Sequence, residues 1–468
     1  MLITEFILNN KLIKTPVSRG ITLLDFIRYE QRLSGTKIGC REGDCGACTV
    51  LIGELIDGKM KYQSMTSCIT PLGNARNKHV VTIEGLNMDD LTPVQQAMVN
   101  QAGTQCGFCT VGFVVSLSSY CLTAEKPTLE GAIASIDGNI CRCTGYKSIE
   151  RAAADLTEML VDKNLEDPIK WLVNNKFIPD YFLEIPERLI NLNNPKPTLN
   201  GRLVIGGGTD LFVQRHDDIA DEEIGLVLDR PEMRKIEIRD GHVFLGSATT
   251  ATNLLKSHVM NGLFPNLWKH MKLVSSTPIR NMGTVAGNFV NASPIGDLTA
   301  FFMALGSSVH LRDDVGNVRE VKLSEFYLDY KVLNKKADEV VAEISFPVPE
   351  EGTLFNFEKV CKRTYLDIAT VNTAIQIKVD ADIITHINLS AGGVGPTPKY
   401  LGETCAFLTG KSISKEIIAD ASDIIQTEIS PMSDVRGSKE YKRLLLRQLF
   451  LAHFAELFPE HINVSELV

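Results

Sequence analysis

Two groups of four cysteines constrain this chain of 468 residues more than any other feature. The first cysteine set has the spacing C-x4-C-x2-C…C and consists of Cys40, Cys45, Cys48 and Cys68. The second cysteine set has the spacing C-x2-C…C-x-C and consists of Cys106, Cys109, Cys141 and Cys143. Thiolates are soft ligands that suit iron, and four of them complete a two-iron centre. The spacings therefore predict two [2Fe–2S] clusters and one-electron chemistry.

Each set has an alternative interpretation. The first could be buried structural cysteines, and the second could hold a structural zinc ion, because C-x2-C followed by a later pair is also a zinc spacing. The loop of the first set contains Gly39, Gly43 and Gly46, which allow the backbone to approach inorganic sulfide closely. Cys121 lies in a long apolar run, so we expect a core residue there and not a ligand.

Composition excludes several classes of protein. The net charge is −9 and no block of basic residues offsets it, which argues against nucleic-acid binding. No apolar run reaches the roughly 18 residues of a membrane span, and residues 1–7 lack the features of a signal peptide. Clustered cysteines with an odd total favour a reducing compartment over a disulfide framework. We therefore predict a cytoplasmic protein without a membrane or nucleic-acid partner.

The pattern of strands and helices predicts an α+β protein of several domains. A hairpin at Asn9-Asn10, a helix capped by Thr22 and strands near 49–52 and 79–83 indicate a small α+β domain. Four helical segments follow, then a mixed polar stretch that reads as a linker, then α/β alternation, and finally three strands and two helices. The predicted boundaries are 1–84, 85–161, 162–185 for the linker, 186–350 and 351–468.

A run of three glycines indicates a binding loop. The segment, here called the glycine turn, reads as a strand, a turn and a helix start, and consists of Leu203, Val204, Ile205, Gly206, Gly207, Gly208, Thr209 and Asp210. Exposed backbone N–H groups at a helix start can hold a pyrophosphate. The spacing matches neither a Rossmann nor a Walker loop, and a purely structural turn is the alternative. Residues 277–297 are rich in small and short polar side chains, which suits a polar ligand or simply a capped loop.

These motifs together resemble the molybdenum hydroxylases. The resemblance is carried by Gly39–Cys48, Gln105–Cys109, Cys141–Tyr146, Gly206–Leu211, Ala292–Asp297, and Asp434–Ser438 with Tyr441. It covers the chain almost end to end. It implies a β-grasp ferredoxin-like domain, a four-helix [2Fe–2S] domain, an α/β FAD-binding domain and a C-terminal α+β flavoprotein domain.

The resemblance also implies a division of labour between chains. The molybdenum cofactor and the catalytic residues would lie on a separate large subunit, with Gln105 and Cys143 of this chain approaching the cofactor. Pairs of the two subunits would associate into a heterotetramer. FAD would contact the glycine turn, Thr284, Asn288 and Asp297, and NAD+ would be the acceptor. Arg142, between two ligand cysteines, would stabilise the cluster or serve as an ordinary surface charge.

Some positions depart from the family pattern. Val111 and Lys147-Ser148 replace residues that are usually Pro and Arg-Pro, and Val274 stands where an aromatic residue often stacks on the flavin. The segment 391–395, expected to face NAD+, lacks an acidic residue found nearby in some relatives. A quinone, a ferredoxin or oxygen therefore remains an alternative acceptor. A free-standing NADH-linked iron–sulfur flavoprotein reductase and a zinc-stabilised scaffold remain alternative functions.

Overall fold

The computed structural model describes residues 3–192, 199, 202–363 and 366–462. The chain forms two compact units. The first contains Met1–Asp229 and Ser276–Gly283, and the second contains Arg230–Ser275 and Thr284–Val468. No helix in the described ranges is both long enough and apolar enough to cross a membrane.

The first unit begins with a five-stranded β-grasp sheet. Its strand order is Lys11–Thr15, Thr4–Leu8, His79–Val81, Thr49–Ile56 and Lys59–Thr66, and only the pair Thr4–Leu8 and His79–Val81 is parallel. Asn9 adopts a left-handed φ of 53°, which closes the predicted hairpin. The hydroxyl of Thr22 accepts the backbone N–H of Asp25 and caps the predicted helix, whose last turn is π-helical. The strand Lys59–Thr66 is not predicted from the sequence, because only Met60, Tyr62 and Met65 of its eight residues are large and apolar.

A helical region follows in the first unit, as predicted. Its helices are Ile83–Leu86, Pro93–Asn100, Thr110–Thr123, Leu129–Ser135 and Lys147–Met159. The helix Thr110–Thr123 is mostly apolar and is buried from Gly112 to Leu122, so its neighbours pack around it. Cys121 is buried in this helix, as expected of a core residue.

The segment 162–185 is not an extended linker. It contains the helix Pro168–Asn174 and the 3-10 helix Asp180–Leu183, and the helix Ile185–Ile190 follows directly. Asp167 caps the first of these helices by accepting the backbone N–H of Lys170. Leu172 and Phe182 are fully buried in the core of the helical region. Tertiary packing therefore overrides the polar composition that suggested a linker.

The remainder of the first unit carries the glycine turn. The strand Leu203–Ile205 pairs in parallel with Ile224–Leu226, and the helix Leu211–Ile219 connects them. The segment Ser276–Gly283, here called the arm, also belongs to this unit and contains the helix Thr277–Arg280.

The second unit starts with an antiparallel sheet. Its strand order is Val318–Lys322, Ser308–Arg312, Val340–Pro347, His242–Gly246 and Ile236–Arg239. Asp240 and Gly241 form the predicted hairpin turn, both with left-handed φ. The helices of this part are Ala251–Lys256, His258–Leu263, Leu267–Lys272, Val285–Asn291 and Asp297–Met303. The strand–helix alternation expected over 186–350 occurs only in 203–226. The later strands pair as antiparallel neighbours.

A four-stranded antiparallel sheet completes the second unit. Its strands are Leu354–Val360, Val371–Asp380, Ile383–Gly392 and Lys399–Tyr400, and its helices are Gly402–Leu408, Lys415–Glu428 and Lys439–Leu457. Ser414 and Ser438 cap the last two helices through their hydroxyls. The three strand-like runs and two helices expected in this region are confirmed.

Candidate cofactor sites

The first cysteine set comes together at one end of the β-grasp sheet. The Cys40 thiol interacts with those of Cys45 and Cys68, and the Cys48 thiol interacts with that of Cys68. Backbone N–H groups point at the sulfurs: Glu42 and Cys45 donate to Cys40 Sγ at 3.3 and 3.4 Å, and Cys40 donates to Cys45 Sγ at 3.4 Å. Such donors stabilise thiolate charge.

The loop of the first set has the backbone that a cluster requires. Arg41, Gly43 and Gly46 have φ values of 59°, 79° and 65°, in the left-handed region. A Cβ atom at Gly39 would lie 2.6 Å from Cys45 Sγ, so no larger residue fits there. Arg41 is held in its conformation by two hydrogen bonds to the carboxylate of Asp25, at 2.7 and 3.1 Å.

The second cysteine set lies at the edge of the helical region. Cys106 and Cys143 have their sulfurs 3.7 Å apart, and the Cys109 thiol interacts with that of Cys141. Thr144 donates to Cys141 Sγ from its backbone at 3.4 Å and its hydroxyl at 3.1 Å. Cys109 occupies the N-cap of the helix Thr110–Thr123.

The thiols in each set shift one another's pKa. Hydrogen bonding from the Cys45 thiol lowers the pKa of Cys40, and the same bond raises the pKa of Cys45. Burial, helped by the Cys141 thiol, raises the pKa of Cys109 to about 12. One thiol of each pair therefore keeps its proton readily, and metal binding must displace it.

The paired arrangement suits a two-iron centre. Within the described ranges, no three His, Cys, Asp or Glu side chains are placed to hold a single metal ion. A [2Fe–2S] cluster needs two thiolates at each iron, and the thiols of each set contact one another: Cys40 with Cys45 and Cys68, Cys48 with Cys68, Cys106 with Cys143, and Cys109 with Cys141. The thiol groups present in each set therefore fit such a cluster.

The second set is open to solvent on one side. Cys106 and Cys143 are exposed, and Gln105 donates its side-chain amide to the carbonyl oxygen of Cys143 at 3.1 Å. Phe108, between Cys106 and Cys109, is also exposed. Arg142 is exposed and has no hydrogen bond or ion pair with any residue that the structure describes, so its predicted role toward the cluster stays a prediction.

The glycine turn packs against the arm. A Cβ atom at Gly207 would lie 2.1 Å from the carbonyl oxygen of Met282, and Gly208 has a left-handed φ of 83°. Asp210 occupies the N-cap of the helix Leu211–Ile219 without a side-chain capping bond. Packing requires a glycine at position 207, and the left-handed backbone favours one at position 208. Because neither residue has a side chain, none of their own atoms shields the backbone N–H groups.

The glycine turn shares a hydrophobic core with the first cysteine set. Cys48, Cys68 and Ile69 belong to the same buried cluster as Ile205 and Met282, all within the first unit. The hydroxyls of Thr66 and Thr70 lie 3.8 and 3.5 Å from the sulfur of Met282. The turn and the cluster loop are therefore parts of one packed body.

The other predicted FAD contacts lie in the second unit, at the starts of two helices. Thr284 caps the helix Val285–Asn291 by accepting the backbone N–H of Gly287 at 2.9 Å. Asn288 Oδ1 accepts both the backbone N–H and the hydroxyl of Thr299 at 3.0 Å. These contacts orient both side chains without a ligand.

Asp297 has two close partners that sequence reasoning missed. Lys359 Nζ lies 2.7 Å from Asp297 Oδ2 and also donates to the carbonyl oxygen of Leu273, and Asn372 Nδ2 lies 2.7 Å from Asp297 Oδ1. The Lys359 side chain is 0% exposed. A lysine inside a predicted strand was the available signal. Each carboxylate oxygen keeps a lone pair, so the predicted hydroxyl partner of Asp297 still fits.

Two further positions of the second unit bear on the flavin prediction. Val274 is buried in the main apolar core of this unit, where it packs as an ordinary aliphatic residue. Gly393, in the segment expected to face NAD+, donates its backbone N–H to the carbonyl oxygen of Pro294 at 2.8 Å. This bond ties the segment 391–395 to the loop that precedes Asp297.

Four family models match the chain in sequence order. Residues 6–73 match a 2Fe-2S iron-sulfur cluster binding domain, and 82–154 match a [2Fe-2S] binding domain. Residues 186–349 match the FAD binding domain in molybdopterin dehydrogenase, and 357–457 match the CO dehydrogenase flavoprotein C-terminal domain. The fold class expected from the sequence is confirmed.

Curated relatives are about a quarter identical to the chain over the aligned residues. Xanthine dehydrogenases of Oryza sativa subsp. japonica and Emericella nidulans are 25% and 27% identical, over 94% and 88% of this chain and 38% and 35% of their own length. Aldehyde oxidase 1 of Bos taurus is 25% identical, over 99% of this chain and 39% of its own. The chain thus spans less than half the length of these relatives.

Solved structures agree on the fold. A chain of carbon monoxide dehydrogenase from Hydrogenophaga pseudoflava is 27% identical, with a TM-score of 0.50 over 53% of this chain and 86% of that one. A chain of the enzyme from Oligotropha carboxidovorans is 23% identical, with a TM-score of 0.52 over 56% and 92%, and supports the fold alone. The four matches follow one another along the chain, and with both cysteine sets they identify 2Fe-2S and FAD-binding domains of the molybdopterin dehydrogenase family.

Proposed function

We propose that the chain is the electron-transfer subunit of a xanthine dehydrogenase, which oxidises hypoxanthine and xanthine to urate. A partner subunit would carry the molybdenum cofactor and the substrate pocket, and two such pairs would form a heterotetramer. The domain boundaries 1–84, 85–161, 186–350 and 351–468 belong to this proposal. So does the cytoplasmic location. The match to xanthine dehydrogenases over nearly the whole chain supports it.

One observation carries the proposal: the first cysteine set and the glycine turn are packed in one core. Ile69 follows the ligand Cys68 directly, and a Cβ atom at Gly208 would lie 3.1 Å from the carbonyl oxygen of Ile69. When bound, the clusters would supply one-electron transfer and FAD would convert single electrons into a hydride for NAD+. The contribution of this chain is to hold ligand loop and flavin turn in fixed contact.

The exposed side of the second cysteine set suits a partner. Cys106 and Cys143 are the exposed members of the eight ligands, and Phe108 is 46% exposed beside them. The side-chain amide nitrogen of Gln105 donates to Cys143, and the amide oxygen has no hydrogen bond to any residue that the structure describes. Electrons that enter at the second cysteine set would pass to the first cysteine set within this chain.

The test is an anaerobic titration of the purified chain, followed by visible absorption. Bleaching of iron–sulfur and flavin bands by NADH supports both cofactor types and NAD+ as acceptor. Bleaching by dithionite but not NADH would transfer the acceptor role to a quinone, a ferredoxin or oxygen. A protein with zinc and without iron or sulfide would contradict the proposal.

The partner requires a separate test. Co-purification with a molybdenum-containing chain that turns over xanthine would support the xanthine dehydrogenase assignment. Turnover of an aldehyde or an N-heterocycle, and not of xanthine, would change the substrate and keep the subunit role. Full NADH-linked reductase activity with an external acceptor, in a chain that co-purifies with no molybdenum protein, would favour a free-standing reductase.

A further inference from the structure

The four residues Asp137–Ile140, here called the junction loop, connect the surroundings of the two cysteine sets. The loop lies directly before the ligand Cys141. The backbone N–H of Ile140 donates to the carbonyl oxygen of Cys45, a ligand of the first set, at 3.0 Å. The side-chain amide of Asn139 donates to the carbonyl oxygen of Gly46 at 3.1 Å. All of these residues belong to the first unit.

Asn139 bridges the two sets with a single buried side chain. Its Nδ2 reaches Gly46 in the loop of the first set, and its Oδ1 accepts the hydroxyl of Ser116 at 2.7 Å. Ser116 lies in the helix Thr110–Thr123, which begins directly after Cys109. Both halves of the amide are therefore used, one toward each cysteine set, and the side chain is 5% exposed.

The backbones on either side of Asn139 are in direct contact. A Cβ atom at Gly46 would lie 2.3 Å from the carbonyl oxygen of Gly138, and one at Gly112 would lie 2.2 Å from the carbonyl oxygen of Gly46. These distances exclude any side chain at either glycine without displacement of the backbone. The two ligand loops are therefore as close as peptide groups allow, and the separation is sensitive to what holds them together.

We propose that Asn139 is a positioning residue that sets the separation of the two [2Fe–2S] clusters. The proposal rests on the proposed function, because it requires both clusters, and it adds a role for a side chain that ligates neither. Magnetic coupling between two reduced clusters falls with the cube of their separation, and electron transfer falls more steeply still. A small displacement of the two loops is therefore measurable, even where each cluster is intact.

The substitution Asn139→Ala is suited to the test because it leaves the Gly46 carbonyl satisfied. The backbone N–H and the hydroxyl of Thr49 also donate to that oxygen, at 3.1 and 2.6 Å. The variant therefore loses the side-chain tie between the sets, keeps the backbone bond from Ile140 to Cys45, and creates no buried acceptor that lacks a donor. We expect full iron, sulfide and FAD content in this variant.

The experiment is low-temperature electron paramagnetic resonance of the full chain, loaded with iron, sulfide and FAD and reduced with dithionite. The wild-type protein should show a splitting from interaction of the two reduced clusters, and Asn139→Ala should lose most of it. The matched control is Asn356→Ala, which removes a buried asparagine bonded to His270, Glu358 and His453 in the second unit. It should lower the thermal midpoint and keep the wild-type splitting.

Several outcomes would overturn the inference. These are a wild-type splitting in Asn139→Ala with both clusters present, no splitting in the wild-type protein with both clusters reduced, or an equal loss in Asn356→Ala. If Asn139→Ala does not retain both clusters, Ser116→Ala decides in its place: a several-fold smaller splitting supports the role of Asn139, and an unchanged splitting contradicts it. A chain that binds no iron would refute the proposed function. A chain that binds both clusters but shows one of the outcomes above would refute only the role of Asn139.

Discussion

The guanidinium of Arg280 lies 2.7 Å from the carboxylate of Asp137, and both side chains are almost fully buried, at 3% and 7% exposed. Thr277 adds its backbone N–H to the same carboxylate at 2.7 Å. Asp137 lies in the matched [2Fe-2S] binding domain, and Arg280 lies in the arm, within the matched FAD binding domain. One ion pair of the first unit therefore joins residues of two matched domains.

Removing the carboxylate of this pair should destabilise the first unit strongly. In Asp137→Ala the charge of Arg280 stays buried without this partner, and we expect a loss of about 3–5 kcal/mol in the free energy of unfolding. Urea titration of the full chain measures it. Glu350→Gln, which breaks the exposed pair with Lys378, is the control and should cost less than about 1 kcal/mol. Equal effects in the two variants would contradict the assignment of a buried ion pair.

The second cysteine set can be removed without touching the flavin. We expect Cys143→Ala to lose the cluster of the helical region, which is roughly half of the bound iron, because a two-iron centre needs four ligands. NADH–flavin diaphorase activity should persist, since the glycine turn and the first set are unaffected. Iron analysis and a diaphorase assay measure the two quantities.

Cys121→Ala provides the matched control for this variant. Cys121 is buried and belongs to neither set, so its removal should leave iron content unchanged. Loss of diaphorase activity in Cys143→Ala, with the fold and FAD content intact, would show that the order of centres is wrong.

The grouping of the first cysteine set is predictable from the sequence because three of its members are separated by only a few residues. Cys40, Cys45 and Cys48 must lie within one loop, and the left-handed positions around them favour glycine. The hairpins at Asn9 and Asp240 were predictable for the same reason, since both turns depend on local φ values. These features depend on residues that are close together in the sequence.

Long-range partners could not be predicted in this way. Lys359 and Asp297 are 62 positions apart, and Arg280 and Asp137 are 143 apart. Nothing in their local sequence distinguishes a buried ion pair from two surface charges. The segment 162–185 illustrates the same limit, because Leu172 and Phe182 become core residues only through packing on the helical region.

Two buried histidines should make the second unit sensitive to acid. His270 and His453 lie on either side of Asn356, at 3.2 and 3.0 Å, and burial lowers their pKa to about 4 and about 3. The unfolded chain binds these protons near pH 6.5, so stability is present above that value and is lost as the pH falls below it. Each histidine should contribute a slope of about 1.4 kcal/mol per pH unit.

Urea titrations between about pH 7 and about pH 5 measure this slope. His453→Gln should reduce it, because one of the two depressed groups no longer titrates. His258→Gln is the control, since His258 is exposed, and should leave the slope unchanged. A slope that is the same in all three proteins would contradict the role of His453.

Lys359 should be needed for FAD retention. Lys359→Met leaves the Asp297 carboxylate with Asn372 but without its cation, which should cost about 3–5 kcal/mol and displace the loop that carries the predicted FAD contact. FAD per chain, measured by absorbance after gel filtration, should fall. Lys378→Met removes an exposed pair in the same unit and should retain FAD. Full FAD content in Lys359→Met would refute the expectation.

The glycine turn tolerates no side chain at Gly207, and this requirement can be separated from the general cost of replacing a glycine. In Gly207→Ala the new Cβ would lie 2.1 Å from the carbonyl oxygen of Met282, so either the turn or the arm must move, at about 1–3 kcal/mol. FAD content should fall because the backbone N–H groups of the turn move with it. Gly241→Ala is the control: its φ is 73° but nothing lies within 4 Å, so it carries only a conformational cost of about 1 kcal/mol. If both variants kept FAD equally well, the turn would not be the pyrophosphate site, and its glycines would serve packing alone.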